Sequence, residues 1–363
     1  MTGHTRKSLT VCFFGYDEPN EGGRAWAVRT GLAANGVTVK PCRTNVSGFV
    51  AKYRDLYRKW GSVGTVDALY VIFMGYYLMP LAWYLARRRN IPVILDMLVS
   101  QYDTEVVDRK RLSRGSPRAW FLWLLDWFSC FVADAIVVDT NEHKKFFTEK
   151  FFVNARKILV VPVGCRSDLF VPLSQRGPDG AFVVEFHGGF SPLQGVEYIL
   201  DAAKVLQDKG ENVRFELTGE GQLSNALRRR AQELGLANVV FLGRSSLEGL
   251  PRSIARGDVC LGIFGTTAKA LRVIPNKVYE CMSCGKPVIT ERSPAVLEFL
   301  HDGEEVCMVE PGDGVALAEK ILELKRDAKS RIRLGERARE ISLDTFSPRA
   351  VVKNLVDWLA SHT

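Results

Sequence analysis

The feature that most limits this chain is an alternation of short apolar runs with amphipathic stretches, which plays through once, breaks, and begins again. LTVCFFG (9–15) has the continuous apolar character of a buried strand closed by a turn, and GGRAWAVRTGLAANG follows with helical spacing and Gly36 as its stop signal. VTVKPCR resumes a strand, and ALYVIFM (68–74), PVILDM (92–97), AIVVDT (135–140) and KILVVPVG (157–164) are further apolar strands. Strands apolar on both faces must be covered on both faces, which predicts a parallel sheet wrapped by helices. After DLFVPLSQRGPDG the pattern restarts with AFVVEFHGGF (181–190) and the helix GVEYILDAAKVLQDKG. VRFELTGEG, LSNALRRRAQELGL, VVFLGR, LEGLPRSIARG, VCLGIFG, a helix at 277–284, PVIT and GVALAEKILELKRD continue it. A chain of 363 residues exceeds the size at which one core keeps growing. The expectation is therefore α/β, with two doubly wound Rossmann-like domains, 1–170 and 171–344, joined near 165–180. SPRAVVKNLVDWLASH, within 345–363, reads as an amphipathic helix that need not pack on the domain it follows.

Charge is unevenly placed. Residues 1–170 hold 24 Lys and Arg against 15 Asp and Glu, whereas 171–363 hold 25 against 26. The excess of the first half suits an anionic surface, for which acidic lipid rather than nucleic acid is the expected partner. The start, MTGHTRKSLT, lacks the apolar core of a signal peptide, and eight scattered cysteines read as reduced core thiols, so a cytoplasmic setting is expected. The run AWFLWLLDWFSCFVADAIVV (119–138) approaches the length of a membrane span. Asp126 and Asp134 inside it would each oppose insertion by roughly 3 kcal/mol, and the run divides naturally into a helix and a β-branched strand. Arg109, Lys110, Arg111, Arg114 and Arg118 precede Trp120, Trp123 and Trp127, a composition suited to a headgroup region, and peripheral contact with the inner face of a membrane is expected.

Open parallel sheets bind ligands beyond the carboxyl ends of their strands. Three such ends stand out. FFGYDEPNEGGRAW (13–26) places Gly15, Gly22 and Gly23 around a strand-to-helix turn without the spacing of a dinucleotide fingerprint. FHGGFSPLQG (186–195) offers Gly188 and Gly189, against which a diphosphate could lie, and His187, which alone reads as a hydrogen-bonding core residue. IPNKVYECMSCGKPVIT (274–290) has Pro275 and Asn276 at a helix start and Gly285 at its stop. Lys277 adds positive charge to the exposed N–H groups there, and Glu280 follows near the same helix face, placed to accept hydrogen bonds from a vicinal diol such as a ribose. Taken alone, Lys277 and Glu280 also fit a solvated ion pair. Cys281 and Cys284 form C-x-x-C without the further ligands a zinc site needs, and no Asp-x-Asp occurs, so no metal is expected.

These segments, in this order, resemble family 4 of the glycosyltransferases, which have the GT-B fold. FHGGFSPLQGVEYILDAAKVL, LTGEGQLSNALRRRAQELGLANVVFLGR, LPRSIARGDVCLGIF and IPNKVYECMSCGKPVIT carry the resemblance over most of 181–290. VVPVGCRSDLFVP resembles the family's join between domains, the last helix the one that crosses back to the N-terminal domain, and ILDMLVSQYDT a version found in sugar transferases of surface polysaccharide assembly. The resemblance implies retaining transfer from a nucleotide-diphospho-sugar, UDP- or GDP-linked, without a cofactor. The donor would bind the C-terminal domain and a glycan or polyprenyl-linked acceptor the N-terminal one. It implies Glu280 on the ribose, Gly188, Gly189 and Phe190 beneath the diphosphate, and Arg244, Arg272, Val273, Ile274, Asn276 and Lys277 about the donor. Gly15, Gly22 and Gly23 would border acceptor and phosphates.

Three features depart from the family pattern. Arg272 stands where the first of two glutamates eight apart is usual, Gly189 and Gln194 stand where Arg and Lys are usual, and Asp96 and Asp103 stand near the place of a histidine. A subgroup with PNK-x-x-E shares such changes, and Lys277 is then the residue expected to stabilise the departing diphosphate, with Asp96 and Asp103 as acceptor-side candidates. A GT-B sugar-nucleotide epimerase and a non-catalytic sugar-nucleotide-binding protein of the same fold are the alternatives.

Overall fold

The computed structural model describes residues 9–17, 23–174 and 180–363. The chain divides into two compact units, Met1–Gly164 with Ser347–Thr363, and Cys165–Phe346.

In the first unit the strands are β1 (Thr10–Tyr16), β2 (Thr38–Thr44), β3 (Ala68–Val71), β4 (Val93–Asp96), β5 (Ala135–Val138) and β6 (Ile158–Val160), alternating with α1 (Gly23–Ala34), α2 (Phe49–Ser62), α3 (Met79–Arg89), α4 (Pro117–Val132) and α5 (Asn141–Phe151). The sheet is wholly parallel, in the order β2-β1-β3-β4-β5-β6. β3, β4 and β5 are buried at every position, as their unbroken apolar runs require.

The second unit repeats the plan with β7 (Phe182–His187), β8 (Val213–Thr218), β9 (Val239–Gly243), β10 (Val259–Leu261), β11 (Val288–Glu291) and β12 (Cys307–Val309). Its helices are α6 (Val196–Asp208), α7 (Ser224–Glu233), α8 (Leu250–Arg256), α9 (Asn276–Ser283), α10 (Pro294–Leu297), α11 (Gly314–Arg326) and α12 (Ala328–Asp344). The order β12-β11-β10-β7-β8-β9 puts its switch point between β7 and β10, where an open α/β sheet has its ligand crevice. The chain then returns to the first unit through α13 (Pro348–Val351) and α14 (Lys353–His362). Gly31 of α1 makes room for this return: a Cβ there would lie 1.9 Å from the Pro348 carbonyl oxygen. The closing segment is thus two short helices, because Ser347 caps a Pro-initiated turn that ends at Val351. β12 and α12 lie outside the alternation legible in the sequence. Three residues of strand are too few to show a period, and α12 is too polar to announce a buried face.

The 119–138 run forms α4 and β5, and no helix among the described residues is long and apolar enough to cross a membrane. α4 turns Ala119, Leu122, Asp126, Ser129 and Cys130 inward. One Asp126 oxygen accepts hydrogen bonds from the Ser100 hydroxyl (2.7 Å) and the Tyr102 N–H (2.9 Å). The other oxygen has no partner among the described residues, and burial pushes the carboxyl up to about 7. A carboxyl raised in the folded state binds a proton that the unfolded chain has lost. Its contribution is therefore full below the unfolded value near 4 and declines as pH rises toward 7. Asp126→Asn, which mimics the protonated group, is expected to gain stability relative to the parent across that interval, by a difference on the order of 1–3 kcal/mol at pH 8. Thermal unfolding of both proteins from pH 4.5 to 8 checks this, and parallel curves would contradict it.

Candidate functional site

The carboxyl end of β7 carries the densest charged cluster at the switch point. Strand alternation puts Glu185 and His187 on one face. Nδ1 of His187 lies 2.9 and 3.2 Å from the two Glu185 oxygens, and Nε2 lies 2.9 Å from Oε2 of Glu280 on α9. All three residues are buried. Burial alone would push the imidazole down, but Glu185 and then Glu280 outweigh it and lift the group to about 10, so His187 is a cation clasped between two carboxylates.

Lys277, one residue into α9, points into the same place. It is 4 % exposed, its ammonium donates to the side-chain oxygen of Gln194, and it sits 3.5 Å from the Phe186 ring centroid. Burial lowers it to about 7, against the pull of Glu185, Cys281 and Glu280. Gly188 makes this approach possible. Its φ is +147°, and a Cβ there would be 2.8 Å from Lys277 Nζ. Pro275 caps α9 with extended backbone and no side-chain acceptor; its carbonyl accepts from the Val278 N–H (3.0 Å), which leaves the N–H groups of Asn276 and Lys277 for solvent or a ligand. The arrangement is a buried cation, orphan helix N–H groups and a glycine turn, with a carboxylate one helical turn away. That set can hold a diphosphate and a hydroxylated group together.

Other expected donor residues fall around it. Gly189 is exposed and Asn276 opens α9. Arg272 ends a short 3-10 turn, Ala270–Arg272, followed by half-buried Val273 and buried Ile274. Phe190 is different: its ring is fully buried against Phe186 and Phe241, so its side chain is core and only its main chain borders the turn. Arg244 is exposed just beyond β9, two strands from β7, where its charge is felt by Glu220. Cys281 and Cys284 are buried, and burial pushes both thiols up. Cys281 lies with Cys260 and Glu185, their ligand atoms within 4.8 Å of one another. That neighbourhood is not legible from the C-x-x-C spacing. His187 already faces this carboxylate as a cation, and Glu185 also pulls on the charge of Lys277.

In the first unit the carboxyl edge is also polar, but its charges are spent on each other. Asp96, at the end of β4, is 1 % exposed. Its carboxylate accepts from Arg24 Nε (3.1 Å), Arg24 Nη2 (3.3 Å) and the Tyr70 hydroxyl (2.7 Å). Arg24 Nη1 completes the network on the carbonyls of Val161 (2.7 Å) and Pro162 (2.8 Å). The expectation that Asp96 meets an acceptor is thereby corrected: a carboxylate engaged on both oxygens and sealed from solvent anchors α1 to the sheet. Asp103 begins a π-helical turn, Asp103–Asp108, and is also buried, its N–H donating to Ser100 Oγ (2.9 Å). Sequence reading missed Arg24, and it missed a buried Asp139–His143 pair just beyond β5. Gly15 is a packing glycine, since a Cβ would come within 2.4 Å of Ile72. Gly23 opens α1 with free space about it, and Gly22 lies outside the described residues.

The model of the family "Glycosyl transferases group 1" matches residues 181–327, which include β7, its glycine turn and α9. The matched segment, which is most of the second unit, is thus similar to the glycosyl transferases group 1. Its fold is GT-B. Among solved structures the chain resembles Anabaena Alr3699/HepE in complex with UDP-glucose, with a TM-score of 0.72, 16% identity, and 97% of this chain and 100% of that one covered. Sucrose-phosphate synthase from Thermosynechococcus elongatus gives a TM-score of 0.74 at 16% identity, covering 97% and 98%. Among curated relatives, the uncharacterized glycosyltransferase MJ1178 of Methanocaldococcus jannaschii is 25% identical over 224 residues, 58% of this chain and 61% of its own. The lipopolysaccharide core biosynthesis glycosyltransferase LpsE of Rhizobium meliloti is 28% identical over 184 residues, 51% of each chain. O-antigen chain mannosyltransferase C of Escherichia coli is 26% identical over 261 residues, 69% of this chain and 65% of its own. The matches thus span between half and two thirds of these relatives' length.

Proposed function

We propose that the chain transfers a sugar, with retention of configuration, from a nucleotide-diphospho-sugar to a glycan acceptor that is lipid-linked or part of a surface polysaccharide. The observation that carries this reading is Lys277. Its ammonium reaches from the first turn of α9 to Gly188 and Gln194, and Gln194 is the position where the family's lysine is usual. The charge absent from GGFSPLQG is thus supplied from a different element. In the proposed complex the diphosphate lies on the Gly188–Gly189 turn and the α9 N–H groups, Glu280 accepts from the ribose, and Arg272 to Asn276 border the sugar. Lys277 and the helix terminus stabilise the leaving diphosphate, and no metal is assigned to that role.

Donor binding is assigned to the second unit. The acceptor is assigned to the first, with Gly15 and Gly23 at its edge, in a cytoplasmic protein working at the inner face of a membrane. UDP- and GDP-linked sugars are the donors that the resemblance favours, and a neighbour in fold is in complex with UDP-glucose. A thermal-shift panel of UDP, GDP, ADP and TDP sugars tests the site. A donor at about a hundred times its Kd should stabilise by about 2.7 kcal/mol. No shift with any of them would remove the donor assignment, and epimer formation without acceptor would replace transfer by epimerisation.

A further inference from the structure

α4 is amphipathic in an unusual sense. Its inward face carries the polar Asp126 and Ser129 among small residues, while its outward face carries large apolar side chains. Trp120, Phe121, Leu124 and Phe131 are 65, 55, 53 and 65% exposed. Trp120, Leu124, Trp127 and Phe131 recur at spacings of four, three and four, which is one helical stripe, and Trp127 stacks on Phe131 with centroids 5.2 Å apart. A monomeric soluble protein seldom leaves such a contiguous patch in water.

The chain entering this helix is basic. Arg109 and Arg111 are paired with Glu105. Lys110, Arg114 and Arg118 are exposed, and among the described residues no acidic group pairs with them. Three uncompensated cations therefore stand at the start of an exposed aromatic stripe. With 16 residues, α4 is too short to span a bilayer, and Asp126 on its inner face ties it to its own unit. An apolar face rimmed at one end by cations matches the boundary between acyl chains and anionic headgroups.

We propose that the outward face of α4, with Lys110, Arg114 and Arg118, docks the protein in the plane of an anionic lipid bilayer. Trp120, Phe121, Leu124 and Phe131 enter the headgroup–acyl boundary while the cations meet lipid phosphates. The surface belongs to the first unit and does not depend on the sugar-transfer reading.

Flotation of the full chain with phosphatidylcholine vesicles, with and without about 30% phosphatidylglycerol, tests it. The parent is expected to float with the anionic vesicles, at least about tenfold more tightly than with neutral ones, and to release as salt is raised. A W120S/F121S/L124S protein should lose at least about tenfold in binding. Each cation near an anionic surface contributes about fivefold, so K110E/R114E/R118E should lose about a hundredfold. These side chains are exposed, so both variants should unfold at the parent's temperature. Three results would overturn the proposal: no parent binding to anionic vesicles, undiminished binding by both variants, or a parent dimer that W120S/F121S/L124S dissociates without any vesicle binding. Vesicle binding by a protein that no nucleotide sugar stabilises would uphold the docking face and count only against transfer.

Discussion

Lys277→Ala is expected to lower turnover by roughly 10²–10³-fold, the range typical when one preorganised stabiliser of developing negative charge is removed. The loss should appear in kcat more than in KM, because the diphosphate gains charge as it leaves. Unfolding would not explain it. Burial has already brought this ammonium down to about 7, so its removal from a 4 % exposed site relieves desolvation and leaves the fold as stable as before or more so. The same value sets a pH dependence with a definite sign. An anionic donor binds best to the protonated amine, so donor affinity should be greatest below pH 7. It should weaken above pH 7 toward tenfold per pH unit, until the bound-state pKa is passed. The alanine variant should lack this slope. Donor titrations from pH 6 to 9 and steady-state kinetics decide the matter. Unchanged turnover in the variant would return Lys277 to a packing role beside Gln194.

The second large effect concerns stability. His187 is expected to hold the second unit together through Glu185 and Glu280, and His187→Ala should destabilise it by about 3–5 kcal/mol, because two buried carboxylates lose their shared cation. For a unit of this size that is a fall in Tm of about 10 °C or more. The pH dependence follows from a folded-state value of about 10, against about 6.5 when unfolded. The folded protein holds a proton that the unfolded chain loses. The contribution is therefore full below pH 6.5 and is lost as pH rises from there through 10. The parent should lose stability over that interval more steeply than His187→Ala. His187→Gln, which can still donate a hydrogen bond but carries no charge, should fall between them at pH 7. A Tm within about 2 °C of the parent for the alanine variant would show the triad to be energetically idle.

Much of this candidate site is legible in the sequence. Lys277 and Glu280 at the start of a Pro-initiated helix, and Gly188 and Gly189 at the end of an apolar strand, mark a candidate ligand end by local chemistry alone. The VVEFH alternation also contained the pairing of Glu185 with His187, since residues two apart on a strand share a face. What it could not contain was their third partner: Glu280 is 93 positions away and reaches His187 only because α9 packs against β10 and β11, and β10 lies next to β7. The misreading of Asp96 has the same origin. Its position at a strand's carboxyl end is legible in PVILDM, but its occupation by Arg24, 72 positions earlier, is a tertiary fact.

The amino-acid sequence by itself determined the fold class, because strands apolar on both faces admit few arrangements other than helix-covered parallel sheets. It also determined the division into two repeats and the segments where glycine, proline and charge gather. Only the tertiary structure decided which charges remain available. Asp96 is neutralised by Arg24, His187 is clasped by two carboxylates, and Lys277 alone of these is lowered toward neutrality at the mouth of a glycine turn. Periodicity and turn chemistry are local and can be read along the chain. Desolvation and ion pairing are set by neighbours that only packing brings together.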